Sequence, residues 1–156
     1  MKQGLIAQLK SASEFFNRST SCLSEEDSSF SPSPGTWSAA QQVAHTAQTI
    51  DWFLNGMFEP SGFDLDFEKL GKEVEACQSL AEARRWFEDA VGRAVETIEG
   101  SSENDLVASL PEGPVMGGAP RIAVISAIVD HTAHHRGALT VYSRLLGKVP
   151  KMPYMD

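Results

Sequence analysis

The chain has 156 residues, of which 42% are hydrophobic, and this predicts a single domain with a hydrophobic core over residues 1–156. Its formal net charge of −8, with no basic stripe to offset it, argues against binding to nucleic acid because an acidic surface repels phosphate backbones. Two isolated cysteines, Cys22 and Cys77, and the lack of a signal-peptide or transmembrane pattern predict a cytoplasmic protein that has no membrane partner.

Two amphipathic helices are predicted in the first third of the chain. The first helix covers 3–21, and its apolar stripe consists of Leu5, Leu9, Ala12 and Phe16. A Ser- and Pro-rich loop over 24–36 follows it. Ser38 and Gln41 form a capping-box pattern that begins the second helix, which runs to about Met57. This helix has two separate faces, one with Val43, Ala47, Ile50 and Leu54 and the other with His45, Thr49 and Trp52. We therefore expect it to lie between neighbouring helices.

The middle of the chain predicts a third long helix. Residues 63–76 mix aromatic and acidic side chains, and we expect them to be irregular or partly helical. The third helix begins after Ser79 and ends at about Gly100. Its apolar stripe consists of Leu80, Ala83, Phe87, Ala90, Ala94 and Ile98.

The last third of the chain predicts a loop and a fourth helix. Residues 101–119 are rich in Gly and Pro, which indicates a loop that could cover a pocket. Pro120 suits the first turn of the fourth helix, which runs to about Leu146 and is followed by Gly147. No stretch alternates in the manner of a strand. Four helices of similar length predict an all-α four-helix bundle.

Three histidines are the strongest functional signal. His131 and His135 lie one turn apart on the fourth helix, so both project from one face and can bind one metal ion. They lie in an apolar row with Val124, Ile128, Ala138 and Tyr142. His45, on the facing second helix, would complete a three-histidine set with coordination positions left open, as in catalytic sites. The pair His131 and His134 is also sterically possible, and spacing alone leaves this choice open.

Other polar and aromatic residues give weaker signals. Asp130 or Asp51 could supply a carboxylate, which would make a two-histidine, one-carboxylate site of the iron type. Asp130 points about 100° away from His131 on a helix and is expected to be exposed to solvent, and its best functional role would be a hydrogen bond to a ligand histidine. Arg136 and Arg144 are candidates to hold an anionic substrate. Core or interface anchors are expected at Trp37, Trp52 and Trp86. The sequence contains no nucleophile motif, so no further catalytic residue is assigned.

Several motifs together resemble a known family. They are Trp37-Ser38 followed by His45, the HxxxHRG pattern at 131–137, and the ending Tyr-Ser-Arg-Leu-Leu-Gly-Lys-Val-Pro at 142–150. In order and spacing they resemble the DinB/YfiT-like family of metalloenzymes. The resemblance implies a four-helix bundle in up-down-down-up order, often dimeric, with one metal ion. It also implies that the ligands are His45, His131 and His135, which selects His135 over His134.

The resemblance also implies an activity. Characterised family members transfer groups to or from low-molecular-weight thiols such as bacillithiol or mycothiol, or isomerise substrates with a thiol cofactor. By this likeness the chain is expected to bind one divalent transition metal ion (zinc, nickel, iron or manganese) and a low-molecular-weight thiol. Its expected activity is that of a metal-dependent S-transferase acting on small electrophiles. A metal-dependent hydrolase of a small substrate and a non-catalytic, metal-binding dimeric bundle remain as alternatives.

Two further expectations concern assembly and pH. The fourth helix carries a second apolar row, which predicts a homodimer that would cover it. This row consists of Ala123, Ala127, Val141 and Leu145. Because ligand histidines must be deprotonated, metal binding should weaken below their ordinary pKa of about 6.5.

Overall fold

Four long helices make up most of the structure. The computed structural model describes residues 1–155, and within this range it contains six α-helices and no β-strand. The helices are α1 (Lys2–Thr20), α2 (Ala39–Phe58), α3 (Phe67–Ala76), α4 (Leu80–Gly100), α5 (Glu103–Val107) and α6 (Ala123–Leu145). The long helices α1, α2, α4 and α6 form a four-helix bundle, in which α2 and α1 each pack against both α4 and α6. The predicted fold class is thus confirmed.

Hydrogen bonds between helix ends show the directions of the long helices. The Lys2 ammonium, at the start of α1, donates to the Glu99 carbonyl at the end of α4, so these helices are antiparallel. Gln42, near the start of α2, bonds to Tyr142 near the end of α6. The first turns of α2 and α4 both bond to Ser28, so these two helices are parallel. The order is therefore up-down-down-up, as the family resemblance implied.

The bundle core follows the apolar stripes of the sequence. Phe16 on α1 and Phe87 on α4 are fully buried, and their ring centroids lie 4.5 Å apart. All six predicted stripe residues of α4 are buried. On α2 the face predicted from Val43 to Leu54 is buried, while its second face contacts α3 and α6. The prediction that this helix is central is confirmed.

The helix-start signals that matter for the site are also confirmed. The Ser38 hydroxyl accepts from the backbone N–H of Gln41, and the Gln41 amide oxygen accepts from the backbone N–H of Ser38. This capping box fixes where α2 begins, and therefore which of its side chains face α6. The predicted end of α6 is confirmed as well. Gly147, just after this helix, has a φ of +74°, a left-handed conformation that glycine adopts at little steric cost.

The connection before α6 differs from the prediction in two places. Residues 101–119 were expected to form a loop, but they contain α5, which starts at Ser102 through a capping box with Asp105. The fully buried Leu106 anchors this short helix to the core. Pro120 lies three residues before α6 rather than in its first turn, because it pairs in a single β-bridge with Ser109.

None of the helices within residues 1–155 combines the length and the hydropathy that are needed to cross a bilayer.

Candidate metal centre

The antiparallel contact between α2 and α6 brings three histidines together. His45 extends from α2, and His131 and His135 extend from one face of α6. The Nε2 atom of His131 lies 3.2 Å from Nε2 of His45 and 3.1 Å from Nε2 of His135. One nitrogen from each ring lies within 4.8 Å of the other two. The structure therefore assembles the three residues that the sequence singled out.

A chain of hydrogen bonds orients the ring of His135. The Tyr142 hydroxyl donates to the carbonyl oxygen of Trp37 at 2.9 Å, so it accepts from the Gln42 amide nitrogen at 3.2 Å. This leaves the Gln42 amide oxygen facing Nδ1 of His135, at 2.7 Å. Nδ1 must then carry the proton, and Nε2 presents its lone pair to the cluster. The tautomer that a metal needs is fixed by this network.

Burial keeps the three imidazoles uncharged. His135 is only 7% exposed, and the other two rings are half-buried. Burial, followed by the nearby imidazoles, lowers the pKa of His135 to about 3. Burial also lowers the pKa of His45 and of His131 to about 4. Protons therefore compete for these nitrogens near pH 4, not near the ordinary pKa of about 6.5 from which the sequence argument started.

The donor set and its spacing suit a metal ion. Two nitrogens that each lie 2.0–2.1 Å from a tetrahedral zinc ion are about 3.3 Å apart. The closest Nε2 pairs in the cluster lie 3.1 and 3.2 Å apart, which is close to that value. Uncharged imidazoles with free lone pairs would hold the ion. Three ligands also leave one or more coordination positions open.

A cavity of about 420 Å³ adjoins His45 and His131. Its walls come from α2, from the Trp37 ring just before α2, and from α3. The Trp37 ring lies against His45, with the centroids 4.2 Å apart. The indole N–H of Trp52 donates to the Asp64 carbonyl at 2.7 Å and so fixes the segment that leads into α3. The cover of the cavity is therefore the partly helical 63–76 segment, and not the 101–119 segment that the sequence suggested.

The remaining polar candidates lie outside the cluster. His134 is exposed and meets only the edge of the His135 ring, at a centroid distance of 4.8 Å. Asp130 is exposed. Asp51 accepts hydrogen bonds of 2.8 Å from the indole of Trp86 and from both Arg93 nitrogens that reach it, so it joins α2 to α4. The structure brings neither carboxylate into the three-histidine cluster.

The two candidate arginines and the three tryptophans contact other residues of the bundle. Arg136 lies 5.9 Å from the ring centroids of both Phe15 and Tyr154, and Arg144 donates to the Thr140 carbonyl. Trp86 bridges α4 to α2 as described above. Trp37 and Trp52 pack against the hydrophobic core, as expected of anchors, and they also line the cavity beside the histidines.

Sequence reasoning missed Gln42, which orients His135. One signal was present in the sequence: Gln42 lies three residues before His45, so the two side chains share one face of α2. The glutamine's role depends on the register of α6 against α2, which the sequence does not display.

Comparison with known proteins agrees with this geometry. The sequence profile of the DinB superfamily matches residues 8–139, a range that contains all three histidines and Gln42. The chain belongs to the DinB superfamily. No curated protein matches it in sequence. Family membership and the three-histidine cluster together fit a metal-binding protein.

Two solved DinB-like structures share the fold. A DinB-like protein from Bacillus cereus ATCC 10987 superposes with a TM-score of 0.75 at 20% identity, covering 99% of this chain and 97% of that one. A DinB-like protein from Bacillus subtilis, YjoA, superposes with a TM-score of 0.69 at 18% identity, covering 97% of this chain and 96% of that one. At these identities the likeness establishes the bundle fold of the DinB protein described here.

The lowered pKa values predict how the stability of the metal-free protein depends on pH. The unfolded chain takes up protons on these histidines near pH 6.5, whereas the folded protein does so only near pH 4. The free energy of unfolding should therefore fall as pH is lowered from about 6.5 to about 4. Urea unfolding of metal-free protein at pH 7 and pH 5 measures this fall.

The matched variants are His135→Leu, which should reduce the fall, and His134→Ala, which should leave it unchanged because His134 is exposed. Equal urea midpoints at the two pH values in the parent protein would contradict the burial account.

Proposed function

We propose that His45, His131 and His135 bind one divalent transition metal ion through their Nε2 atoms. The observation that carries this proposal is the convergence of three uncharged imidazoles, one of them held in the required tautomer by Gln42. Imidazole ligands suit zinc, iron and nickel, whereas manganese prefers carboxylate oxygens. The donor set thus favours the first three ions.

We infer further that the protein is a metal-dependent enzyme that joins a low-molecular-weight thiol to a small electrophile. When bound, the ion would lower the pKa of a thiol and so supply the nucleophilic thiolate. His45 and His131 border the cavity, so an electrophile held there lies next to the open side of the histidine cluster. In the reaction a bond forms from sulfur to the electrophilic carbon, the leaving group departs with its bonding electrons, and the thiol proton passes to solvent.

The cavity also bears on the two alternatives. Its wall is mainly aromatic and aliphatic and contains no carboxylate that could activate a water molecule for hydrolysis. A bundle that only stores a metal ion needs no cavity of about 420 Å³ beside its ligands. Both features support a transferase with a small-molecule substrate over a hydrolase or a non-catalytic metal-binding dimer.

Metal analysis of purified variants tests the ligand assignment. His135→Ala should lose most of the bound metal because it removes one of the three proposed ligands and leaves the Gln42 amide oxygen without its partner. His134→Ala should keep most of the metal, since its ring is exposed and lies outside the cluster. Inductively coupled plasma mass spectrometry gives the metal-to-protein ratio. Equal loss in both variants, or loss only in His134→Ala, would mean that the ligand pair on α6 is wrong.

A thiol-dependence assay tests the activity. Zinc-loaded and nickel-loaded protein should accelerate loss of chloride from 1-chloro-2,4-dinitrobenzene only when a thiol such as bacillithiol or mycothiol is present. His45→Ala should abolish the acceleration, and His134→Ala should preserve it. Turnover of an ester without any thiol would support the hydrolase instead. The absence of turnover over a panel of electrophiles, at full metal occupancy, would support the non-catalytic bundle.

We also propose that the protein forms a homodimer through the second apolar row of α6. In the single chain Val141 is 55% exposed and Leu145 is 61% exposed, so this end of the row has no cover. Sedimentation at micromolar concentration should give about twice the chain mass of 16.9 kDa. Val141→Glu together with Leu145→Glu should give the single-chain mass. A parent protein that sediments only near 16.9 kDa would contradict the dimer.

A further inference from the structure

We propose that the cavity beside the three histidines selects an uncharged small molecule with an aromatic or aliphatic body, and that it discriminates against molecules whose body carries a carboxylate or a phosphate. The inference rests on the proposed function, because the reactive end of such a molecule would lie at the metal between His45 and His131. It adds the substrate class, which neither the three-histidine cluster nor the fold specifies.

The lining of the cavity has no side chain to pair with an anion. Apart from the two histidines, which are proposed metal ligands, every residue that lines the cavity is non-ionisable. The main walls are Trp37, Trp52, Phe53, Phe67, Leu70 and Val74. An anionic group placed against these walls would lose its water without gaining a positive partner, which is strongly unfavourable.

The lysines of α3, the helix that forms part of this wall, do not compensate. Both lysines of α3 are exposed and are held by acidic side chains: Lys69 lies 3.4 Å from Asp64, and Lys72 lies 2.6 Å from Glu68. The formal charge of −8 on the chain adds a long-range field that repels anions. Local and global electrostatics therefore disfavour the same class of molecule.

Two buried polar side chains indicate which polar groups the bound molecule can carry. Gln48 is 6% exposed and Thr49 is 7% exposed, and both line the cavity from α2. Within residues 1–155 neither side chain forms a hydrogen bond to the protein. They can serve an uncharged polar group, such as a carbonyl, a nitro group or an amide, at low cost in solvation.

The wall is also built to hold a flat apolar body. The Trp52 ring packs against Phe53 and Phe63, each with a centroid 4.9 Å away, and its indole N–H donates to the Asp64 carbonyl. Gly56 lets the Phe63 ring approach α2 closely, since a Cβ there would lie 2.2 Å from Phe63 Cδ1. A rigid aromatic surface of this kind favours stacking with aromatic or planar molecules. The volume of about 420 Å³ falls in the range of small-molecule sites.

A matched pair of probes tests this discrimination. In 4-methylbenzohydroxamic acid and 4-carboxybenzohydroxamic acid the metal-binding end is the same, and only the far end differs in charge. Calorimetric titration of zinc-loaded protein should show that the methyl compound binds at least about tenfold more tightly. Quenching of tryptophan fluorescence should accompany its binding, since Trp37 and Trp52 line the cavity. Equal or tighter binding of the carboxylate compound would overturn the proposal, and so would failure of both compounds to bind at full zinc occupancy.

Substitutions at Leu70 test whether the discrimination between the two probes arises in the cavity. Leu70→Lys would bring an ammonium group to the wall from α3, and Leu70→Met changes the same position without charge. The preference for the methyl compound should fall by at least about tenfold in Leu70→Lys and should stay within about twofold in Leu70→Met. An unchanged preference in Leu70→Lys would show that the probes bind elsewhere, which overturns the proposal.

Titration of metal-free protein separates this inference from the proposed function. The methyl compound should still bind more tightly than the carboxylate compound, although both should bind more weakly than with zinc. If the protein takes up no zinc but keeps this preference, the proposed function fails and the cavity assignment stands. If the protein takes up zinc but shows no preference in either state, the cavity assignment fails and the metal proposal stands.

Discussion

The hydrogen bond from Nδ1 of His135 to Gln42 determines what the cluster can do. It joins α2 to α6 at a distance of 2.7 Å, and it fixes both the ring and the position of its proton. Because Tyr142 donates to a backbone carbonyl, the amide of Gln42 has only one orientation that satisfies both of its neighbours. The other imidazoles then meet a nitrogen lone pair and not an N–H. The three uncharged imidazoles, one of which presents a fixed lone pair, could hold a metal ion.

The hydrophobic core and the candidate site are formed by different contacts within the bundle. The contact between α1 and α4 is filled by apolar side chains, with the Phe16 and Phe87 rings fully buried. Helix α2 lies between α4 and α6, and its second face supplies His45, Gln42 and part of the cavity wall. Short α3 covers that face and leaves a space beside the histidines. The same helix thus contributes to the core and to the site, so the register of α2 must be tightly fixed, and the Ser38 capping box contributes to this.

Regular features of the site could be predicted from the sequence. The apolar row that contains His131 and His135 predicted that both face the inside of the bundle, and the capping signals located the start of α2. The choice between His135 and His134 required the family resemblance, because a single helix allows both pairs. In the structure the ring of His135 is buried and joins the three-histidine cluster, whereas that of His134 is exposed.

The features that the sequence did not reveal depend on contacts between segments. The role of Gln42 arises only because α6 places His135 beside it, and the sequence does not display this contact. Helix α3 begins among acidic residues and has only one fully buried side chain, Val74, so its apolar pattern is weak. The buried position of α5 likewise rests on one residue, Leu106. Trp37 and Trp52 pack against the core as expected, and their second role as cavity walls depends on α3, which supplies another part of the wall.

Anomalous diffraction from crystals of the zinc-loaded protein, collected on both sides of the zinc absorption edge, tests the central claim most directly. The account predicts one zinc peak per chain, bonded to Nε2 of His45, His131 and His135 at about 2.0–2.1 Å, with Nδ1 of His135 still bonded to Gln42. A zinc peak at other residues, or coordination through Nδ1 of His135 with Gln42 displaced, would contradict it.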